Sequence, residues 1–323
     1  MTISQALNWA SKQLKKADIK SANLDAEILL IAILRKYERK STRINKTFLY
    51  SHPEITLTQN QIKKFKNYIA RRKKHEPVAY IIGYKEFFEL NFLVNKHALI
   101  PRPETEILVE EALKIVSKYP VLASIRSSRS RLKCQRMTVV DVGTGSGCII
   151  ISILKKLLIT DYPPATPEHS DGGRGRLPIT FYAVDISKKA VRLAQKNATL
   201  HKVEKYITFK VGNLLEPVKN KKIDIIVANL PYLSKDLKHL KKRDISREPK
   251  KALFTDEKGL FLIKKLLFQI KNLKYKPKFI LLEIDPGQKV RLKKIINQVL
   301  PKTKINFKKD LAGLVRIAVI KNQ

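Results

Sequence analysis

The stretch Met137–Ser152, MTVVDVGTGSGCIIIS, constrains the fold of this chain more than any other. A short apolar run reaches Asp141. Gly143, Gly145 and Gly147 follow with Thr144 and Ser146 between them, and an apolar helix start opens at Cys148. A strand that turns through glycines directly into a helix is the first half of a βαβ unit, and βαβ units build parallel sheets. The pattern continues downstream. Phe181–Asp185, Ile207–Val211 and Ile225–Ala228 are short β-branched or apolar runs separated by helical segments. Such runs read as strands buried on both faces, and ligands of an open α/β sheet bind at the carboxyl ends of its strands. Asp141, Asp185 and Asn229 stand at three of those ends, on the rim of one expected cleft.

The glycine turn has the spacing G-x-G-x-G, not the G-x-G-x-x-G of dinucleotide binding, and no Lys-Ser/Thr follows as in a P-loop. A glycine turn without phosphate recognition suits a cofactor whose amino-acid end lies against bare backbone, and S-adenosylmethionine is such a cofactor. Asp185 is placed to accept hydrogen bonds from a ribose diol. The competing role for Asp185 is a helix cap, since Ile186-Ser187 precede a helical segment. In the box Asn229-Leu230-Pro231-Tyr232, the Asn side-chain oxygen and the Leu230 carbonyl can both accept from one NH2 group. Pro231 brings no competing N–H and holds Leu230 extended, and Tyr232 offers a face for stacking. The plainer alternative is a strand end with an ordinary Pro turn.

These residues resemble the bacterial protein-(glutamine-N5) methyltransferases that act on peptide chain release factors. The family box is N-P-P-Y. Its upstream signature is matched by Glu76–Gly83 and by Ile100-Pro101-Arg102-Pro103-Glu104-Thr105-Glu106. Further matches are Arg247-Glu248-Pro249, Gly259-Leu260, Leu282-Glu283-Ile284 with Gly287-Gln288, and Asp310-Leu311-Ala312-Gly313. The resemblance implies a Rossmann-like S-adenosylmethionine-dependent methyltransferase domain of α/β class with a small N-terminal helical domain. It implies methyl transfer to the glutamine of the Gly-Gly-Gln motif of release factors. By that resemblance Gly143, Thr144, Gly145, Ser146, Gly147, Asp185, Asn213, Leu214 and Asn229 face the cofactor. Asn229, Leu230, Pro231, Tyr232, Arg102 and Glu104 face the substrate, with Asn229, Pro231 and Tyr232 in the catalytic box. Leu230 stands where the family usually has Pro, and Asn213 where it often has an acidic residue.

Composition sets the outer bounds. A chain of 323 residues suits one large α/β domain plus a smaller one. Residues 1–85 read as helical, with Ile3, Leu7, Ala10 and Leu14 on one face and Leu24–Leu34 as a second helix. Thr58 and Gln61 form a capping-box signature for a third helix. Residues 86–103 read as a β-hairpin linker and 104–323 as the methyltransferase domain, with the helical domain as substrate dock. The segments 124–136 and 161–178 read as surface loops. The formal charge of +38 is spread through almost every segment. It is explained either by a solvated face or by attraction toward an acidic or ribosome-associated partner. Cys134 and Cys148 cannot form a framework, and no metal site is expected. No run of about 18 uncharged apolar residues occurs, so a cytoplasmic monomer without membrane or stable nucleic-acid partners is expected.

The chemistry expected of the box is orientation. Two acceptors hold the amide hydrogens so that the nitrogen lone pair points at the sulfonium methyl. The rival reading is a ribosomal RNA adenine N6-methyltransferase, whose box also resembles N-L-P-Y and whose target is also an NH2 group. The N-terminal helical segment and the Ile100–Glu106 signature stand against that rival.

Overall fold

The computed structural model describes residues 1–37, 44–118, 137–160, 179–234 and 247–322. The expected loops at 124–136 and 161–178 and Cys134 lie outside the described residues. Two compact units emerge, one containing Met1–Tyr84 and the other residues 85–234 and 248–322.

The first unit is helical: α1 Ile3–Lys16, α2 Ala22–Tyr37, α3 Lys46–Ser51, α4 Gln59–Lys73 and α5 Val78–Ile82. Both α1 and α4 open on capping boxes, Thr2 with Gln5 and Thr58 with Gln61. Each box satisfies two orphan backbone donors reciprocally. The buried face of α1 is Ile3, Ala6, Ala10 and Leu14. Ala6 thus replaces Leu7 in the innermost row, and Leu7 packs at its margin. Inside this unit Arg72 forms a buried ion pair with Asp25 at 2.7 Å, and Ser21 donates to the same carboxylate at 3.0 Å.

A short hairpin, β1 Tyr84–Phe87 and β2 Leu90–Leu93, of which all but Tyr84 belongs to the second unit, turns through Phe88 and Glu89, both at positive φ. After a single turn of 3-10 helix at Pro103–Thr105, α6 (Glu106–Ser117) leads into the sheet. The strands are β3 Met137–Val142, β4 Ile179–Asp185, β5 Ile207–Val211, β6 Ile225–Ala228, β7 Phe279–Glu283, β8 Thr303–Lys309 and β9 Val315–Asn322. Their order is β8-β9-β7-β6-β3-β4-β5. From β7 through β5 every pair is parallel, whereas β9 runs antiparallel to both neighbours. The chain steps outward from β3 to β4 and β5, then returns to lay β6 on the other side of β3. That reversal opens a crevice between the carboxyl ends of β3 and β6.

Helices α7 Cys148–Thr160, α8 Lys188–Leu200, α9 Phe261–Lys271 and α10 Lys289–Val299 follow β3, β4, β6 and β7 in the chain. The apolar side chains form two large clusters. Val139, Phe181, Ile225 and Leu281 pack with Ile150 and Leu154 of α7, while Val140, Val142, Ile226 and Leu282 pack with Leu266 of α9 and Leu292 of α10. Alternate strand residues therefore serve opposite faces, as the pleat of a sheet covered on both sides requires.

Candidate functional site

Gly143, Gly145 and Gly147 all have positive φ, at 77°, 55° and 82°. They are not interchangeable. A Cβ at Gly143 would lie 2.9 Å from Leu230 Cδ2, and one at Gly147 would meet Ile151 at 2.9 Å and Ala194 at 3.1 Å. A Cβ at Gly145 would meet nothing closer than 3.9 Å. Packing against the box and against α8 demands the outer glycines, whereas a Cβ at the middle one would make only ordinary contacts.

The turn is clamped from β4. Gly143 and Thr144 both donate their N–H to the Val184 carbonyl, at 2.8 and 3.0 Å. Gly145 N–H donates to Asp185 Oδ2 at 3.0 Å, and Ser187 N–H to Asp185 Oδ1 at 2.8 Å. Ser187, not Asp185, caps α8 by accepting from Ala190 N–H. Asp185 is half-buried, and burial raises its pKa against the pull of those two backbone donors. Asn197 of α8 ties the turn to the hairpin: its amide donates to Ser146 O at 2.8 Å and Leu93 O at 3.0 Å, and accepts from Leu93 N–H at 2.7 Å.

Asp141 lies below the rim instead of on it. Its side chain is fully buried, with Oδ2 accepting from the Thr144 hydroxyl at 2.7 Å. Oδ1 has no hydrogen-bond partner among the described residues. Burial pushes this carboxyl up to about 7. Asn213 and Leu214 follow β5 in the turn beyond Gly212, whose N–H donates to the Asp185 carbonyl at 3.0 Å. Leu214 is buried at positive φ. Cys148, at the start of α7, is a buried free thiol pushed up to about 12 by desolvation. Among the described residues no cluster of acidic, His and Cys side chains could hold a metal ion.

Across the crevice, Asn229 Nδ2 donates to Thr105 Oγ1 at 3.0 Å. Leu230 is buried against Gly143. The Tyr232 hydroxyl donates to Glu283 Oε1 at 3.1 Å, and Gln288 Nε2 donates to the Tyr232 carbonyl at 2.9 Å. Gly259 approaches so closely that a Cβ there would lie 1.9 Å from that carbonyl oxygen. Burial pushes the Tyr232 phenol up, and the neighbouring Glu283 carboxyl adds to the effect.

Arg102 is engaged within the protein: it pairs with buried Glu248, which also accepts the Ile100 N–H at 3.1 Å. Glu104 is half-buried and acts electrostatically on Glu283 and Arg316. The Ile100–Glu106 signature thus brings Thr105 to Asn229, whereas Arg102 is held by Glu248. Thr105, Glu248, Glu283 and Gln288 were given no site role from sequence. Each falls in a segment noted only for its resemblance, and a buried polar residue at a strand or helix end is the signal that could have found it.

The arrangement can accept a ligand without phosphates at the turn and Asp185, and an NH2-bearing group at Asn229 and Leu230. Residues 5–83 match the family model of the PrmC N-terminal domain, and residues 133–300 match a methyltransferase domain model. The chain is 31% identical to the release factor glutamine methyltransferase of Coxiella burnetii, over 99% of this chain and 98% of that protein. It is 35% identical to the bifunctional methyltransferase of Rickettsia felis over 79% of its own length, and spans only about half (46%) of that longer relative. The hMettl16 catalytic domain, solved with an RNA hairpin, superposes with a TM-score of 0.52 at 14% identity, covering 91% of this chain and 90% of that one. That likeness speaks to the fold alone.

Proposed function

The chain belongs to the release factor glutamine methyltransferase family, and from that premise we propose that it methylates the side-chain nitrogen of the Gly-Gly-Gln glutamine of release factors, modulating translation termination. S-adenosylmethionine, when bound, supplies an electrophilic methyl group. The residues present fit it: no protein atom lies closer than 3.9 Å to the position of a Cβ on Gly145, which leaves its backbone accessible to an amino-acid end, and half-buried Asp185 keeps lone pairs for a diol. Thr144, Ser146, Gly147, Asn213 and Leu214 complete the proposed cofactor side.

The chain's own work is orientation. Asn229 Oδ1 and the Leu230 carbonyl accept the two amide hydrogens, so the nitrogen lone pair is turned to the cofactor side. An amide nitrogen is a poor nucleophile, and fixed acceptors act on it without reorganising during the reaction. Pro231 keeps the Leu230 carbonyl free of a competing donor, and Tyr232 covers the flat group. The single observation that carries the reading is Asn229 meeting Thr105 while Leu230 packs on the glycine turn, which joins the two half-sites across the crevice.

Asn229→Ala is expected to leave S-adenosylmethionine binding nearly unchanged and to lower turnover on a release factor roughly 100-fold. Release factor with the acceptor glutamine replaced should take up no labelled methyl group. Continued methylation of that altered substrate, or normal turnover by Asn229→Ala, would overturn the reading.

A further inference from the structure

A side-chain amide can face a cleft with either end. If the nitrogen of Asn229 faced the cleft, it would oppose the incoming NH2 donor to donor. The orientation must be imposed by neighbours, because the two ends of an amide are nearly the same in shape.

Three groups lie behind one another at the back of the box. Asn229 Nδ2 donates to Thr105 Oγ1 at 3.0 Å, and Thr105 is almost fully buried. The Thr105 hydroxyl lies beside the Glu283 carboxyl and favours its ionised form. Glu283, fully buried at the end of β7, has Oε1 served by the Tyr232 hydroxyl. Its Oε2 has no hydrogen-bond partner among the described residues. A buried acceptor in that position draws any hydroxyl within reach, and a hydroxyl that donates to it keeps its lone pairs for accepting.

We propose that Thr105 and Glu283 are positioning residues that set the polarity of the Asn229 amide, so that its oxygen faces the acceptor group and the site selects an amide over a carboxylate. The assignment rests on the reading of the site as an amide methyltransferase and adds residues that act only through Asn229. An ionised Glu283 can only accept. A Thr105 hydroxyl turned toward it therefore donates and keeps its lone pairs for the Asn229 NH2, from which it accepts at 3.0 Å. Reversing the first group reverses the others.

The groups facing Glu283 are Tyr232, Thr105, Glu104 and Arg316. Burial pushes its carboxyl up to about 7, with Glu104 adding to the rise and the Thr105 and Tyr232 hydroxyls and Arg316 opposing it. Once protonated it can donate, and the polarity is no longer fixed. Turnover is therefore expected to fall as pH drops through about 7.

The test uses full-length protein with Thr105→Val, Thr105→Ser and Glu283→Gln. The Asn229 side-chain amide is read by NMR hydrogen exchange, and S-adenosylmethionine affinity and melting temperature serve as fold controls. In the ligand-free protein the Asn229 NH2 should be protected in wild type and Thr105→Ser, and should lose protection in the other two variants. Thr105→Val should lower kcat roughly 30-fold with KM and cofactor affinity within about threefold, and Thr105→Ser should restore most of it. Glu283→Gln brings an NH2 that donates to Thr105. It should abolish the acidic limb of the pH profile and shift preference about tenfold toward binding a release factor whose acceptor glutamine is replaced by glutamate. Unchanged Asn229 protection in Thr105→Val, or an unchanged glutamine-to-glutamate preference in Glu283→Gln, overturns the assignment. Wild-type protein that protects Asn229 but methylates no release factor overturns the functional reading and leaves the polarity standing.

Discussion

At the scale of single residues, the three glycines of the turn carry different burdens, and their substitution should separate accordingly. Gly147→Ala places a methyl against α8 at a left-handed backbone, so a loss of about 1–3 kcal/mol of stability is expected. Gly145→Ala makes only ordinary contacts, none closer than 3.9 Å, so the backbone strain of about 1 kcal/mol is the main cost to the fold. Its methyl instead fills the space proposed for the cofactor, and affinity for S-adenosylmethionine should drop tenfold or more by calorimetry, about 1.4 kcal/mol. Equal cofactor affinity in both variants would remove Gly145 from the site. Asp141 and Glu283 make a second residue-level point. Both carboxyls are raised to about 7 by burial, from ordinary values near 4. The folded state therefore holds their protons more tightly than the unfolded chain. The stability they contribute is fully present below about pH 4 and is lost as pH rises through about 7. Glu283→Gln should accordingly melt higher than wild type at pH 8, by on the order of 1–3 kcal/mol, with the difference shrinking toward pH 5. A variant that melts lower at pH 8 would show that the carboxylate is stabilised in place.

At the scale of elements, the box is held less by its own strand than by the segment that folds over it. Leu233–Ser234 pairs with Phe254–Thr255, and Glu257, Lys258 and Gly259 then run at positive φ beneath the Tyr232 carbonyl. Gln288 donates to the carbonyls of both Tyr232 and Lys258, at 2.9 and 3.1 Å, locking the two loops together. Gly259→Ala cannot be accommodated without moving Tyr232. We expect kcat to fall at least tenfold and cofactor affinity to persist, because the glycine turn lies elsewhere; a loss confined to cofactor affinity would contradict this. Local signals were legible in the sequence at this scale. The capping box at Thr58 and Gln61, the strands at 207–211 and 225–228 and the strand–turn–helix at the glycines all depend on neighbours in sequence. What could not be read were partners brought from afar. Asn197 reaching Leu93, Glu248 reaching Arg102 and Thr105 reaching Asn229 span 104, 146 and 124 residues. Periodicity carries no information about such meetings. The innermost row of α1 also needed the packed structure, since Ala6 and Leu7 fit the helical period almost equally well.

At the scale of the whole molecule, the parallel part of the sheet, β3 to β7, followed from alternating strands and helices, but the antiparallel β8–β9 edge and the strand order did not. Nothing local announces that β6 lies beside β3, or that β9 inserts between β7 and β8. The net charge of +38 belongs to this scale as well. Lysines dispersed over the surface bind polyanions without reading them, so any RNA association should weaken steeply between about 50 and 200 mM salt and show no sequence preference. Sequence-specific binding surviving high salt, measured by filter retention, would reopen the adenine reading. The dispersed charge also bears on the open side of the sheet. Strand β8 has β9 along one side and no strand along the other among the described residues. It carries Lys304 and Lys309 along its short length, and Lys308, which is paired with Glu111 at 3.1 Å. A second molecule approaching to extend the ladder would bring the same row of cations to about 4.8 Å from its twin, where like charges oppose pairing. Hydrogen bonding invites any strand to that side, and Lys304 and Lys309 set a cost against each copy of the same strand.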